Sequence, residues 1–157
     1  HLTNLRNYLN LNAVSRDSVR VGAVDVTALG QGGGLVGVPG DYTPPSRFVR
    51  STFLRHNIPV PANAADALQA VGHILNNVDI PVGIAQSRSG DQVVSDYTQW
   101  VALKDLSHNR MLIADYAHRT NFVALDLDAL FALDKPVSIK VNDLPYPAAA
   151  DATRSLK

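Results

Sequence analysis

Residues 30–50 read GQGGGLVGVPGDYTPPSRFVR, and the reading of those glycines decides the fold. Gly32, Gly34 and Gly37 fall on the G-x-G-x-x-G spacing of a dinucleotide loop. That loop works only when its third glycine opens a helix whose N-terminus receives the pyrophosphate. Here Gly37 is followed by VPGDYTPP, with Pro39, Pro44 and Pro45 ahead of any helix. The acidic residue that would hold a ribose about 20 positions on is lacking, since that region reads FLRHNIP. No Gly-Lys-Ser/Thr follows, so a phosphate loop is excluded as well. The glycines read as a flexible or tightly turned loop, either letting backbone approach a substrate or line a pocket rim, or forming a mobile surface loop, and the dinucleotide reading is set aside.

The 157 residues amount to one domain's worth of chain. Hydrophobic residues make up 46% and charged residues 18%, the composition of an ordinary globular protein. Fourteen basic residues balance fourteen acidic ones, so no net field favours nucleic acid or an anionic membrane. No apolar run approaches the roughly 18 residues of a membrane span, and the opening HLTNLRNYLN carries no signal-peptide h-region. The absence of cysteine rules out disulfides, thiolate metal sites and a cysteine nucleophile within these residues. The chain opens on His1, without an initiator Met, in what reads as the middle of an element. It is therefore expected to be part of something longer.

Leu2, Leu5, Tyr8 and Leu9 share a face, which predicts a short amphipathic helix over residues 1–12. Residues 13–40 read as an excursion with little regular structure, although SVRVGAVDVTAL within it is moderately β-prone. Thr43 or Ser46 can cap a helix over 44–56, where Pro44 and Pro45 are tolerated in the first turn. Asn63 with Asp66 caps a second helix, whose buried face is Leu68, Val71, Leu75 and Val78. QSRSGDQ (86–92) reads as a polar loop. Then DYTQWVALKDL, RMLIADYA and NFVALDLDAL, separated by SHN and HRT turns, form an antiparallel meander. PVSIKV (136–141) is a candidate fourth strand. Helices first and strands second make the fold class α+β.

The segments HLTNLRNYLNL, GLVGVPGDYTPPSRFVR, GHILNNVDIP and DYTQWVALKDL, in that order, resemble the choloylglycine hydrolase family. That family holds the penicillin V acylases and conjugated bile salt hydrolases, within the N-terminal nucleophile superfamily. The resemblance implies a four-layer αββα sandwich, of which residues 1–157 would be the C-terminal portion of a single amide hydrolase domain. It implies hydrolysis of a non-peptide linear amide by an N-terminal cysteine that acts with its own α-amino group as base. The amide would belong to penicillin V, an N-acyl homoserine lactone or a conjugated bile salt. YTPPSRFVR and NNVDIPVG look closer to the penicillin-acylase-like branch of Gram-negative bacteria. Of the implied catalytic set, only Arg47 lies in this chain; nucleophile, base and oxyanion asparagines do not. Where the family has an aromatic-Arg-Thr-Tyr run this chain reads LIADYAH, keeping only Tyr116.

The resemblance further implies no cofactor, and a bacterial source with the periplasm favoured over the cytoplasm; histidine spacing implies no metal. The expected partners are the N-terminal half of the same enzyme, a small-molecule amide and further copies of the chain, while the balanced charge and the lack of an apolar span argue for no nucleic acid and no membrane. Arg47 is odd on physical grounds alone, because a cation in the first turn of a helix opposes the macrodipole. It is either the ion-pair partner of Asp41 or a cation whose field favours a thiolate. Asp41 either orients Arg47 or belongs to the Pro39-Gly40-Asp41 turn, and Arg50 reads as solvated or core-capping. Trp100, in a strand, reads as core in preference to a ligand platform, and the five histidines show no metal-ligand spacing. The contrasting hypothesis is a stand-alone, non-catalytic α+β module that binds a ligand or partner.

Overall fold

The computed structural model describes residues 1–156. They divide into two compact units, His1–Pro59 with Asn76–Val78, and Val60–Leu75 with the residues from Asp79 onward.

In the first unit the expected short helix forms over Leu2–Tyr8, as a 3-10 helix. Asn4 and Asn7, one turn apart, bond to each other through their side chains at 3.1 Å. The expected irregular excursion contains a hairpin, β1 (Ser18–Val21) and β2 (Val24–Thr27). Val21 pairs with Val24, leaving Gly22-Ala23 as a two-residue turn with Gly22 at φ 61°. Positive φ at the first turn position alone is the pattern of a type II′ turn, whose twist matches that of the strands. The register puts Val19, Val21, Val24 and Val26 on one face, all exposed.

The glycine run holds a 3-10 turn, Gly33–Leu35. Gly34 provides a close approach: its carbonyl accepts from the Asn12 amide at 2.9 Å, and a Cβ there would overlap the Asn12 carbonyl oxygen. Gly34→Ala is therefore expected to destabilise by about 1–3 kcal/mol, the usual cost of overpacking. Faster exchange of the Asn12 amide would mark the lost bond, and Gly30→Ala, with open space around it, is the neutral control.

Helix α1 (Pro44–Asn57) begins after Thr43, with prolines where first-turn amides need no intrahelical partner. It ends with Arg55 and His56 in the last turn, favourable charges at a helix C-terminus. Val49, 1% exposed, is its most buried apolar side chain.

The second unit opens with α2 (Ala64–Asn76). Asn63 accepts from the Asp66 amide and donates to the Asp66 carboxylate, both at 2.9 Å, a reciprocal cap. Ile74 is the buried residue of α2, Leu68 and Leu75 are half-buried, and Val71 is exposed; Val78 falls beyond the helix end. Gly72 lies within contact of Leu103, so α2 lies against the following sheet. The segment read as a polar loop is a second hairpin, β3 (Ala85–Ser89) and β4 (Gln92–Asp96), turning at Gly90-Asp91 with Gly90 at φ 62°.

The meander forms as expected. Strands β5 (Trp100–Asp105), β6 (Arg110–Asp115) and β7 (Val123–Asp126) pair antiparallel in chain order, with Leu103, Ile113 and Ala114 buried. The third run stops early because the Asp126 carboxylate accepts from the Ala129 amide and caps α3 (Leu127–Phe131). Residues 136–141 find no strand to pair with, so the fourth strand does not form, and a 3-10 turn follows at Val141–Asp143. Trp100 is in β5 but 54% exposed, which corrects its reading as core. It pairs with Asp115 at the end of the β5–β6 ladder, where fewer neighbours can cover it. Helices and antiparallel strands in this order make the fold α+β.

Candidate functional site

The site of interest in the first unit is built on the short run Pro39–Arg50. Asp41 Oδ1 accepts from the Thr43 amide at 2.9 Å and from the Thr43 hydroxyl, and Oδ2 accepts from the Ser46 hydroxyl at 2.6 Å. Both oxygens are thereby engaged, and Asp41 belongs to the turn. It makes no ion pair with Arg47, so the bland alternative for that arginine is not realised. These bonds lower the Asp41 pKa from 3.8 to about 2, the Ser46 hydroxyl contributing most and the Thr43 hydroxyl and amide next.

A depressed carboxyl stabilises the fold above its unfolded pKa, and the contribution is lost as pH falls through the folded pKa. The turn is expected to hold from neutral pH downward and to open between about pH 4 and about 2. A carboxyl-carbon titration of Asp41 with its midpoint near 2 is the expected measurement. A midpoint near the ordinary 3.8 would mean that the two hydroxyls do not donate to it.

Arg50, expected to be solvated or core-capping, is half-buried and bonded to backbone carbonyls. Its Nη1 donates to the Pro39 and Asp41 carbonyls, each at 2.7 Å, and its Nε to the Asn77 carbonyl at 3.1 Å. It clamps the proline-glycine turn to the second turn of α1.

Arg47 lies between these two clamps. Its amide donates to the Thr43 carbonyl at 3.0 Å and its carbonyl accepts from the Ser51 hydroxyl at 2.9 Å, so its backbone is fixed. Its Nε is buried and has no hydrogen-bond partner among the described residues. A buried, unpaired guanidinium nitrogen costs free energy of roughly 1–3 kcal/mol or more unless an acceptor meets it. The arrangement therefore presents an uncompensated cation at the start of a helix, suited to stabilising an anion brought beside it. Thr43 and Ser46 entered the sequence reading only as helix caps. Their place in the Asp41 network was legible in the D-x-T-x-x-S spacing, which suits an Asx-type turn leading into a helix.

In the second unit Asp115, 3% exposed, accepts from the backbone amide and the Nδ1 of His118, the latter at 2.8 Å. The His118 ring stacks on Tyr146 at 4.3 Å, and burial pushes the Tyr146 phenol up, with the Asp115 charge adding to it. Tyr116 accepts from the Val82 amide and packs edge-on against Tyr97. With Trp100 these two line a cavity of about 390 Å³. His108 pairs with Asp105 at 2.7 Å. Among the described residues no three histidine or carboxylate side chains converge as metal ligands would.

Comparison with known proteins bears on the first unit and most of the second. Residues 1–139 match the family model of the linear amide C-N hydrolases, choloylglycine hydrolase family. The bile salt hydrolase/transferase of Clostridium perfringens is 38% identical over 106 residues, covering 66% of this chain and 32% of that protein. The protein of the same name from Bifidobacterium longum is 29% identical over 130 residues, covering 82% of this chain and 41% of its own length. A crystal structure of a mutant conjugated bile acid hydrolase from Clostridium perfringens superposes with a TM-score of 0.69 at 36% identity, over 82% of this chain and 38% of that one. The chain thus spans between about a third and two fifths of the length of these relatives.

Proposed function

This chain belongs to the choloylglycine hydrolase family of linear amide C–N hydrolases, and from that premise we propose that it is the C-terminal portion of a single amide hydrolase domain in which Arg47 is a catalytic residue. The observation that carries the reading is the fixed backbone of Arg47 together with its buried, unpaired Nε. In the complete enzyme an N-terminal cysteine thiol gives its proton to its own α-amino group, and the thiolate attacks the amide carbon. Asparagine amides hold the oxyanion, the leaving amine takes up the proton, and water then hydrolyses the thioester. Arg47 supplies the positive field that keeps the sulfur ionised.

The substrate is a non-peptide linear amide. Relatives named for bile salts support a conjugated bile salt; YTPPSRFVR and NNVDIPVG support penicillin V or an N-acyl homoserine lactone. The relatives named above come from bacteria, and a periplasmic compartment is part of the same proposal. So is assembly with the N-terminal half and with further copies, for which the exposed valine face of the β1–β2 hairpin is a suitable surface.

Two measurements test the reading. The intact mass of the native polypeptide is expected to exceed that of this chain, with a cysteine at the N-terminus of the mature enzyme. The purified 157-residue chain alone is expected not to turn over penicillin V or a glycine-conjugated bile acid. Its serines lie in no Gly-x-Ser-x-Gly elbow, and it holds no thiol. Turnover by the chain alone would overturn the proposal in favour of chemistry housed entirely in these residues.

A further inference from the structure

We propose that Asp41 is a positioning residue for Arg47: it fixes the first turn of α1 from outside the helix and leaves the Arg47 charge uncancelled. The inference rests on the reading of Arg47 given above and adds the device that makes that reading work.

Pro44 and Pro45 bring no amide hydrogens to the start of α1. Thr43, at the N-cap, makes no side-chain bond to a helix amide. Its hydroxyl donates to Asp41 instead. Asp41 therefore braces the start of the helix through side chains and the Thr43 amide, not by capping a helix amide. It ties Thr43, just before the helix, to Ser46, immediately before Arg47, through one carboxylate. Ser46 is itself buried, so its orientation is set by packing as well as by the bond. From the other side Arg50 holds the carbonyl of the same Asp41 and that of Pro39. The turn and the helix start are thus cross-braced at two points, with Arg47 between them.

The same bonds have an electrostatic consequence. Asp41 is a carboxylate six residues from Arg47 in sequence, and a free one would be a candidate ion-pair partner. With both oxygens occupied by Thr43 and Ser46, it makes no ion pair with Arg47. The arginine keeps an unpaired, buried Nε for a group supplied from elsewhere.

The experiment has two arms. Hydrogen–deuterium exchange is measured on the complete enzyme and needs no catalysis. Asp41→Ala is expected to speed exchange of the amides over residues 43–48 by about tenfold or more, and Asp41→Asn by less, because it keeps an acceptor for the Thr43 amide. The second arm uses the complete enzyme and a double-mutant cycle. Asp41→Ala is expected to lower kcat by about tenfold with little change in KM, and to raise the pH midpoint of thiol alkylation in the same direction as Arg47→Ala. The double variant should then be no worse than Arg47→Ala alone. Unchanged exchange over residues 43–48 in Asp41→Ala would overturn the inference, and so would strictly additive losses in the cycle. If Arg47→Ala is itself without effect, the catalytic reading of Arg47 fails, and the exchange arm still decides whether Asp41 fixes the turn.

Discussion

Replacing Arg47 by Ala in the complete hydrolase is expected to raise the pH midpoint for alkylation of the nucleophilic thiol by about 1–3 units. The sign follows from charge. A nearby cation favours the thiolate, so its removal makes the proton harder to lose. Each unit corresponds to about 1.4 kcal/mol, or roughly tenfold in thiolate population on the acid side of the midpoint. Acylation should fall by a similar factor while the fold survives, because the Arg47 backbone bonds persist in an alanine helix and alanine is the best helix former. Arg47→Lys is expected to retain part of the effect, since the charge remains while the planar guanidinium does not.

The structure also dictates the control. Arg50, one turn along α1, is the obvious comparison from sequence spacing, but it holds the Pro39 and Asp41 carbonyls. Its loss would disturb the same turn. Arg55, exposed in the last turn of α1, carries the same charge without those bonds and is the proper control. An unshifted alkylation profile in Arg47→Ala, with normal turnover, would reduce Arg47 to a structural residue.

How much of this was legible in the sequence depends on whether the information is local. Helices α1 and α2 announced themselves through prolines at an N-terminus, a reciprocal Asn63–Asp66 cap and apolar residues at helical spacing. The meander was legible from alternation and turn residues. The two hairpins were missed for different reasons. VRVGAVDV does alternate around a two-residue glycine turn, but the long glycine run beyond it drew the whole stretch into one loop. QSRSGDQ is polar at nearly every position, so only the Gly90-Asp91 turn specifies it. PVSIKV errs the other way: it alternates well but has no neighbour to complete a ladder, and strands exist only by pairing. At the site, the oddity of Arg47 was visible from helix position alone. The Arg50 clamp was not, because its acceptors are the backbone carbonyls of Pro39, Asp41 and Asn77, which residue identity does not mark.

The chain purified by itself is expected to be a poor monomer, unfolding at low denaturant or aggregating. Its buried apolar set among the described residues is small: Val49, Ile74, Ile80, Leu103, Ile113 and Ala114. It exposes 12160 Å² of surface. A single compact body of its mass would expose about 7,700 Å², and two separate bodies of half that mass about 9,300 Å² in all. The excess therefore does not depend on how the two units are arranged. Surface left uncovered on this scale is apolar in identifiable places: the four valines of the β1–β2 hairpin, Trp100 at the end of β5, and Val93 and Val94 in β4. Hairpin edges and valine faces of this kind pair readily with other chains. Each large side chain left in water forgoes roughly 1.5–3 kcal/mol of burial, and a domain's whole margin is about 5–15 kcal/mol, so a few of them decide the outcome. Supplying the N-terminal portion of the enzyme in trans should bury these faces, raise the denaturation midpoint and restore turnover together. A sharp two-state transition of the lone chain at high denaturant, unchanged by that addition, would instead identify an independent module and defeat the half-enzyme reading.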